Sequence, residues 1–322
     1  VTSTQQPPRN RQPATRNPHR ASAFAPASIG NVGPGFDILG LAVDGLGDRI
    51  TVELTDGEAR IDAITGRDAD IVPRDPATNV ASIAAAAWLR AHGITRNAVI
   101  SIDKGLPVAG GLGGSAASSV GGAYAAALAS GESSPDPIGV IEAALAGEMH
   151  ASGRHLDNIA PIALGGLVLS RSIDPIDVIR LTVPDDWWVA LVTPHVRVET
   201  KSARAILPMT WERGEWIQQM ANTTALVHAF AIGDGELLRR ALDDRYAEPR
   251  RASLIPHFYE VKRAALDAGA FGCSISGSGP TIFAIADRGN ARVCGDRMQQ
   301  ALEHVGSDLH VVPIAKKGVR RA

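Results

Sequence analysis

Two hydrophobic rhythms alternate along the chain. In "DRITVEL" (residues 48–54) and "NAVISI" (97–102), apolar and β-branched residues alternate or run together, as in half-buried or buried strands. Between them, "NVASIAAAAWLRAHG" (79–93) keeps helical spacing and stops at a glycine. Past residue 165, "GGLVLSRS", "IDVIRLTV" and "WWVALVTP" predict three strands, and "EWIQQMANTTALVHAFAIGDGELLRRAL" predicts helices. "CSISGSGPTIFAIAD" then returns to strand. Sheets packed against helices follow, an α+β arrangement. The character changes at Gly165 and Gly166, which divides the chain into an N-terminal α+β part (21–165) and a C-terminal one (166–322). Residues 1–20 fit neither rhythm. They are rich in proline and arginine, lack acidic residues and are expected to form a disordered arm. The arginines faintly resemble a transit peptide, but no amphipathic apolar face accompanies them.

Composition narrows the function classes. At 322 residues and 45% hydrophobic content the chain can bury one large core or two ordinary ones. A formal net charge of -2 supplies no basic excess to neutralise a nucleic-acid backbone, so no nucleic-acid partner is expected. Small anionic ligands stay open. Cys273 and Cys294 form no C-x-x-C or Cys/His spacing, which argues against a disulfide framework or structural zinc and fits a reducing cytoplasm. No apolar run reaches the ~20 residues that span a bilayer, so no membrane anchorage is expected.

The sharpest local feature is "GLPVAGGLGGSAASSVGGA" (105–123). A glycine loop after a strand, then Ser115 and helix-forming residues, brings unpaired backbone N–H groups and a positive helix end to one spot. That spot favours phosphate. Gly110, Gly111, Gly113 and Gly114 clear the approach, while Ala116, Ala117, Gly121 and Gly122 permit tight helix packing. An ordinary turn into an Ala-rich buried helix fits the same residues. The loop has neither the G-x-G-x-x-G dinucleotide fingerprint nor the G-K-[ST] ending of a Walker loop.

Two further glycine-and-serine turns accompany it, "PASIGNVGPGFDILGLAV" (26–43) and "GCSISGSGPTIFAI" (272–285). Together, in this order, the three resemble the motifs of the GHMP kinase superfamily. "PASIGNVGPGFDILGLA", "RHLDNIAPIALGG" and "EPRRASLIP" are similar to its homoserine kinase family, and the resemblance runs from Ala23 onward. It implies a two-domain α+β fold, with an N-terminal domain like ribosomal protein S5 domain 2 and a ferredoxin-like C-terminal domain. It also implies ATP, Mg²⁺ and the amino acid L-homoserine as ligands. Homodimers are common in the family, and nothing in this sequence shows one.

By the same resemblance, Pro107, Val108, Ala109, Gly110, Gly111, Leu112, Gly113, Gly114, Ser115, Ala116 and Ala117 wrap the ATP phosphates, and Asn79 lies near the adenine. Gly114 stands where the family has its first serine; Ser115 is the second and, with Glu148, would hold Mg²⁺, a hard ion suited to oxygen ligands. The segment between Gly153 and His155 is one residue shorter than the family spacing. Thr200, Arg204 and Arg251 match positions that hold the acceptor, the arginine forks suiting a carboxylate. Asn31, Asp37, His155 and Asn158 match the positions near its amine and hydroxyl. Mevalonate kinase has an aspartate where this chain aligns Asn158, so catalysis through alignment and electrostatics is implied, with Asp37 and Asp157 the candidates for any base. Motif three, residues 276–280, is expected to back the phosphate loop as a turn. Besides a homoserine kinase, a threonine or mevalonate kinase-like enzyme and a non-catalytic binding protein of the same fold remain open.

Overall fold

The computed structural model describes residues 19–322. The expected arm (1–20) lies outside the described residues except for its last two, and Arg20 already opens a strand. In chain order the elements are β1 (Arg20–Gly30), β2 (Leu39–Thr55), β3 (Arg60–Gly66), α1 (Val80–Ala91), β4 (Asn97–Lys104), α2 (Gly114–Ala129), α3 (Pro137–Ala151) and α4 (Ile159–Leu164). After Gly165 and Gly166 come β5 (Leu167–Ile173), β6 (Ile176–Leu181), β7 (Trp187–Pro194), α5 (Thr200–Ala205), α6 (Arg213–Ile232), α7 (Gly235–Ala241) and α8 (Glu248–Arg251). The chain closes with α9 (Phe258–Asp267), β8 (Gly272–Ile275), β9 (Ile282–Asp287), α10 (Ala291–Gln300), β10 (Ser307–Pro313) and β11 (Arg320–Arg321).

One sheet has seven strands along the path β11-β1-β2-β4-β3, with β5 joined to β2 and β6 to β5. Only the β3–β4 pair in it is parallel. The first sheet therefore continues past Gly166 and also takes the C-terminal strand β11. The second sheet, β10-β7-β9-β8, is antiparallel throughout.

Strand periodicity explains how the two cores meet. On β7, Trp187, Val189 and Leu191 face the larger core, while Ala190 and Val192 face the smaller one. Residues Phe283 and Ile285 of β9 likewise face the first core, and Ile282, Ala284 and Ala286 the second. A strand buried on both faces needs no polar alternation, which is why "WWVALVTP" reads as one apolar run. Helices α6 and α7 cover one face with Leu226, Phe230 and Leu238, and α9 and α10 cover the other with Phe258, Val261 and Met298.

Local chemistry sets the helix ends that matter for the site. Asn79 caps α1, its Oδ1 accepting from the N–H groups of Ala81 (3.1 Å) and Ser82 (3.3 Å). The small residues of α2 let it lie against its neighbours: a Cβ at Gly122 would sit 2.3 Å from the Ala81 carbonyl oxygen. Helix α2 is thereby held between β1, β2 and α1, with its N-terminus aimed at the glycine loop. Among the described residues no helix is long and apolar enough to cross a membrane.

Candidate active site

A cavity of about 540 Å³ opens where the three glycine-and-serine turns converge. Val108, Ala109, Gly110, Gly111, Gly113, Gly114 and Ser115, the loop expected at the phosphates, line part of it. Leu112, Ala116 and Ala117 are instead buried in the core and anchor the loop from behind, while Pro107 packs against Gly110 outside the lining. Gly113 ends the loop in the left-handed region (φ 67°) without a side-chain cap, so the first N–H groups of α2 keep no partner within the helix. A Cβ there would lie 2.2 Å from Ser28 Oγ and 3.1 Å from Asn158 Oδ1.

This geometry gives a first prediction. Forcing an L-residue into the left-handed region costs roughly 1–2 kcal/mol. The free loop of Gly113→Ala escapes that cost by leaving the conformation at the head of α2, and binding must restore it, so at about 1.4 kcal/mol per decade the Kd for ATP should rise roughly five- to thirtyfold. Titration calorimetry on the folded variant checks it, and unchanged affinity would remove the loop from the nucleotide site.

The third turn braces the loop. Ser276 Oγ donates to the Gly111 carbonyl oxygen (2.5 Å) and Thr281 Oγ1 to that of Gly110 (2.5 Å). Asp68 Oδ2 accepts the Val108 N–H on the other side (2.9 Å).

At the adenine end expected from the sequence, Asn79 lines the cavity but spends both ends of its amide internally. Its Nδ2 donates to the Pro73 carbonyl oxygen (2.8 Å), tying the rim formed by Ile71, Val72 and Pro73 to the start of α1.

Behind the loop lies a buried cluster that sequence reasoning missed. Lys104 Nζ pairs with Asp48 Oδ2 and also donates to Ser118 Oγ (3.1 Å) and the Gly114 carbonyl oxygen (3.2 Å). Asp48 Oδ1 accepts the N–H groups of Gly105 and Leu106, each at 3.1 Å. The signal was present. Ala98, Ile100 and Ile102 alternate inward along β4, and Lys104 falls on the same buried register, as Asp48 does beside Ile50 and Val52 on β2. A lysine and an aspartate on facing inward registers must pair. A Cβ at Gly114 would lie 3.7 Å from Lys104 Nζ, so the ammonium stands beside the position that lacks the family's serine.

Ser115 and Glu148 are together as expected: Ser115 Oγ donates to Glu148 Oε1 (3.1 Å). Ser152 Oγ donates to the same oxygen, and Glu148 Oε2 is buried with no hydrogen-bond partner among the described residues. Burial raises the Glu148 pKa, against the lowering effect of these hydroxyls and of His155. An orphaned carboxylate oxygen beside a serine hydroxyl is an oxygen donor set that fits a hard cation. Among the described residues no three His, Cys, Asp or Glu side chains gather into a metal cage.

The side chains expected at the acceptor form a chain of contacts. Ser152 Oγ lies 3.3 Å from His155 Nε2, and His155 Nδ1 lies 3.0 Å from Asp157 Oδ1. Asp157 Oδ2 accepts the Asn31 N–H (3.1 Å), and Ser28 Oγ donates to Asn158 Oδ1 (2.9 Å). Asn31 (φ 68°) donates from Nδ2 to the Gly277 carbonyl oxygen (3.0 Å) and accepts the Asp37 N–H (3.0 Å), bridging the first and third turns. Arg204 forks onto both oxygens of Asp37 (2.9 and 2.7 Å). Arg251 donates to the carbonyl oxygens of Ala203 (3.1 Å) and Gly277 (2.8 Å). Both guanidinium carbons stand 5.4 Å from the centre of the Phe36 ring, a contact the sequence reading did not include. Thr200 Oγ1 lies 3.2 Å from Ser278 Oγ.

Burial lowers the His155 pKa, but the hydrogen bond and charge of Asp157, with Glu148 and Asp37, outweigh it and bring the value up to about 9. His155 takes up its proton more readily folded than unfolded, so its contribution is full below about pH 6.5 and is lost as pH rises through about 9. The stability difference between the protein and His155→Gln should therefore shrink over that interval, as chemical denaturation between about pH 6 and pH 10 would reveal. A constant difference would contradict the charged pair.

Comparisons with known proteins bear on the family and the fold. Residues 79–166 match the family "GHMP kinases N terminal domain", and residues 226–304 match "GHMP kinases C terminal". A homoserine kinase of Chloroherpeton thalassium is 41% identical, the match covering 94% of this chain and 99% of that protein. One from Arabidopsis thaliana is 43% identical over 91% of this chain and 81% of its own length. The chain belongs to the homoserine kinase family of the GHMP kinases. A crystal structure of homoserine kinase from Cytophaga hutchinsonii, 40% identical, superposes with a TM-score of 0.91 over 97% of this chain and 100% of that one. Leishmania major mevalonate kinase is only 14% identical, and its TM-score of 0.66 over 90% of this chain and 95% of its own shares the fold alone. The two-domain GHMP kinase fold expected from the three motifs is the fold of this chain.

Proposed function

We propose that the protein transfers the γ-phosphoryl group of ATP to the side-chain hydroxyl of L-homoserine, giving ADP and O-phospho-L-homoserine on the way to threonine. Arg251 carries this reading. It is 3% exposed, and among the described residues no carboxylate pairs with it. Burial, and after it the neighbouring Arg204, lowers its pKa. A buried cation without an anion is costly, and an amino-acid carboxylate would relieve it with a matched fork. Asp37 and Asn31 bring acceptor oxygens to the same end of the cavity, where an ammonium group would need them.

The phosphates of ATP would lie against the open N–H groups at the start of α2. A magnesium ion held by Ser115 and Glu148 would add positive charge there. In the transfer, the acceptor oxygen bonds to the γ-phosphorus as the bond to the β-phosphate bridging oxygen breaks, and the hydroxyl proton departs to a phosphoryl oxygen or to water. A loose transition state asks little of a base. Neither aspartate is free to be a strong one: Arg204 grips Asp37, and His155 and the Asn31 N–H hold Asp157. Asn158 offers an amide, which aligns a hydroxyl and does not accept its proton. His155, protonated at neutral pH, adds positive charge beside the acceptor.

A coupled ADP-release assay across L-homoserine, L-threonine, L-serine and mevalonate tests the reading. The highest kcat/KM is expected with L-homoserine. Release no faster with L-homoserine than with water alone would overturn it.

A further inference from the structure

Within the glycine loop Ala109 (φ 55°), Gly111 (φ 80°) and Gly113 (φ 67°) lie in the left-handed region. The glycines adopt it freely, while an alanine held there bears a steric cost. Contacts from outside the loop must therefore keep Ala109 in place, and the structure has them on both sides of it. Downstream, Thr281 Oγ1 and Ser276 Oγ donate to the carbonyl oxygens of Gly110 and Gly111. Upstream, the Val108 N–H donates to Asp68 Oδ2 (2.9 Å).

Asp68 is itself fixed from several directions. It follows β3 at φ 52°, its carbonyl oxygen accepts the Ile71 N–H (3.2 Å), and the N–H of its neighbour Arg67 donates to the Lys104 carbonyl oxygen at the end of β4 (2.8 Å). The Arg67 side chain pairs with Asp308 on β10, which ties the segment to the second sheet as well. The other Asp68 oxygen stands 3.7 Å from Arg197, whose side chain is 63% exposed, so that pair contributes little. Asp68 is not among the residues that line the cavity, and its carboxylate reaches the loop through the Val108 N–H. Without that acceptor the peptides around Ala109 can turn until the alanine leaves the left-handed region, and a ligand must then restore the loop as it binds.

We propose that Asp68 is a positioning residue for the nucleotide: by holding the Val108 N–H it keeps Ala109 left-handed, so that the loop has its binding shape before ATP arrives. The role rests on the loop being the nucleotide site.

The test follows ATP affinity by titration calorimetry and amide hydrogen exchange at residues 109–111 in Asp68→Ala, which removes the acceptor, and in Asp68→Asn, which keeps an oxygen for the Val108 N–H. Asp68→Ala should raise the Kd for ATP about tenfold and leave KM for L-homoserine at saturating ATP within about twofold. Exchange at residues 109–111 should quicken in the nucleotide-free protein. Asp68→Asn should stay within about threefold of the parent, since it gives up only the exposed Arg197 pair. The deciding background is Ala109→Gly. Glycine has no steric cost to relieve, so there Asp68→Ala should weaken ATP binding no more than about threefold. A tenfold loss undiminished in that background, equal losses in Asp68→Ala and Asp68→Asn, or parental affinity in Asp68→Ala beside a weakened Gly113→Ala would each overturn the proposal. Parental affinity in both Asp68→Ala and Gly113→Ala, with exchange still quickened at residues 109–111, would overturn the nucleotide reading and leave the clamp on the loop standing; unchanged exchange would overturn the clamp as well.

Discussion

Glu148→Gln is expected to lower kcat by about two to three orders of magnitude, because balancing the phosphate charge through a metal contributes several kcal/mol. The fold should not suffer. Burial opposes the charged carboxylate and raises its pKa, so a neutral amide of the same shape removes a cost the folded state bears. The amide oxygen can still accept from Ser115 and Ser152, which both donate to Oε1. What the amide cannot replace is the negative charge at the second oxygen, Oε2, which has no hydrogen-bond partner among the described residues. The variant should thus melt no lower than the parent and need more Mg²⁺ for half-maximal activity. Parental turnover with parental Mg²⁺ dependence would remove Glu148 from the metal site.

Much of this arrangement was legible because it rests on backbone. A glycine run after a strand and before small helical residues can do little else than expose N–H groups, and the structure has Gly113 at positive φ at the head of α2. The helix at 79–93 and the strands at 48–54, 97–102 and 187–194 follow from period and turn chemistry, and all of them form. What was not legible depends on long-range pairing. The inward alternation marks Lys104 and Asp48 as buried, but that they meet each other follows only from the alignment of β2 with β4, one step beyond the pair of Arg49 with Asp103. Phe36 stacks beneath two arginines that lie more than one hundred and sixty positions further along the chain. The pairing of β5 with β2 could not be read from the glycines at 165 and 166, since a glycine pair marks a turn equally well within a sheet or between units. Arg204 was expected to offer its fork to a ligand carboxylate, and the structure has that fork on Asp37, a contact that residue types do not foretell.

That difference makes Arg251 the sharper test of substrate identity. Arg204 is partly exposed and already neutralised by Asp37, so its loss would mix substrate binding with release of an internal pair. Arg251 is buried, its hydrogen bonds among the described residues go only to main-chain oxygens, and the remainder of its fork lies beside the cavity. Truncating one partner of a buried charged contact costs about 2–5 kcal/mol. On a scale of about 1.4 kcal/mol per decade, Arg251→Met should therefore lower kcat/KM for L-homoserine roughly thirty- to several-thousandfold, with the affinity for ATP alone nearly unchanged. Mevalonate also carries a carboxylate, so this loss alone does not separate the two acceptors. The amine does. In the parent, L-homoserine should exceed its deaminated analogue 4-hydroxybutyrate in kcat/KM by at least about tenfold, since an ammonium bonded to a charged partner contributes about 1.5–3 kcal/mol. Equal values for the pair would refute amino-acid recognition even if Arg251→Met had lost activity, because the carboxylate would then be the whole of what the site reads.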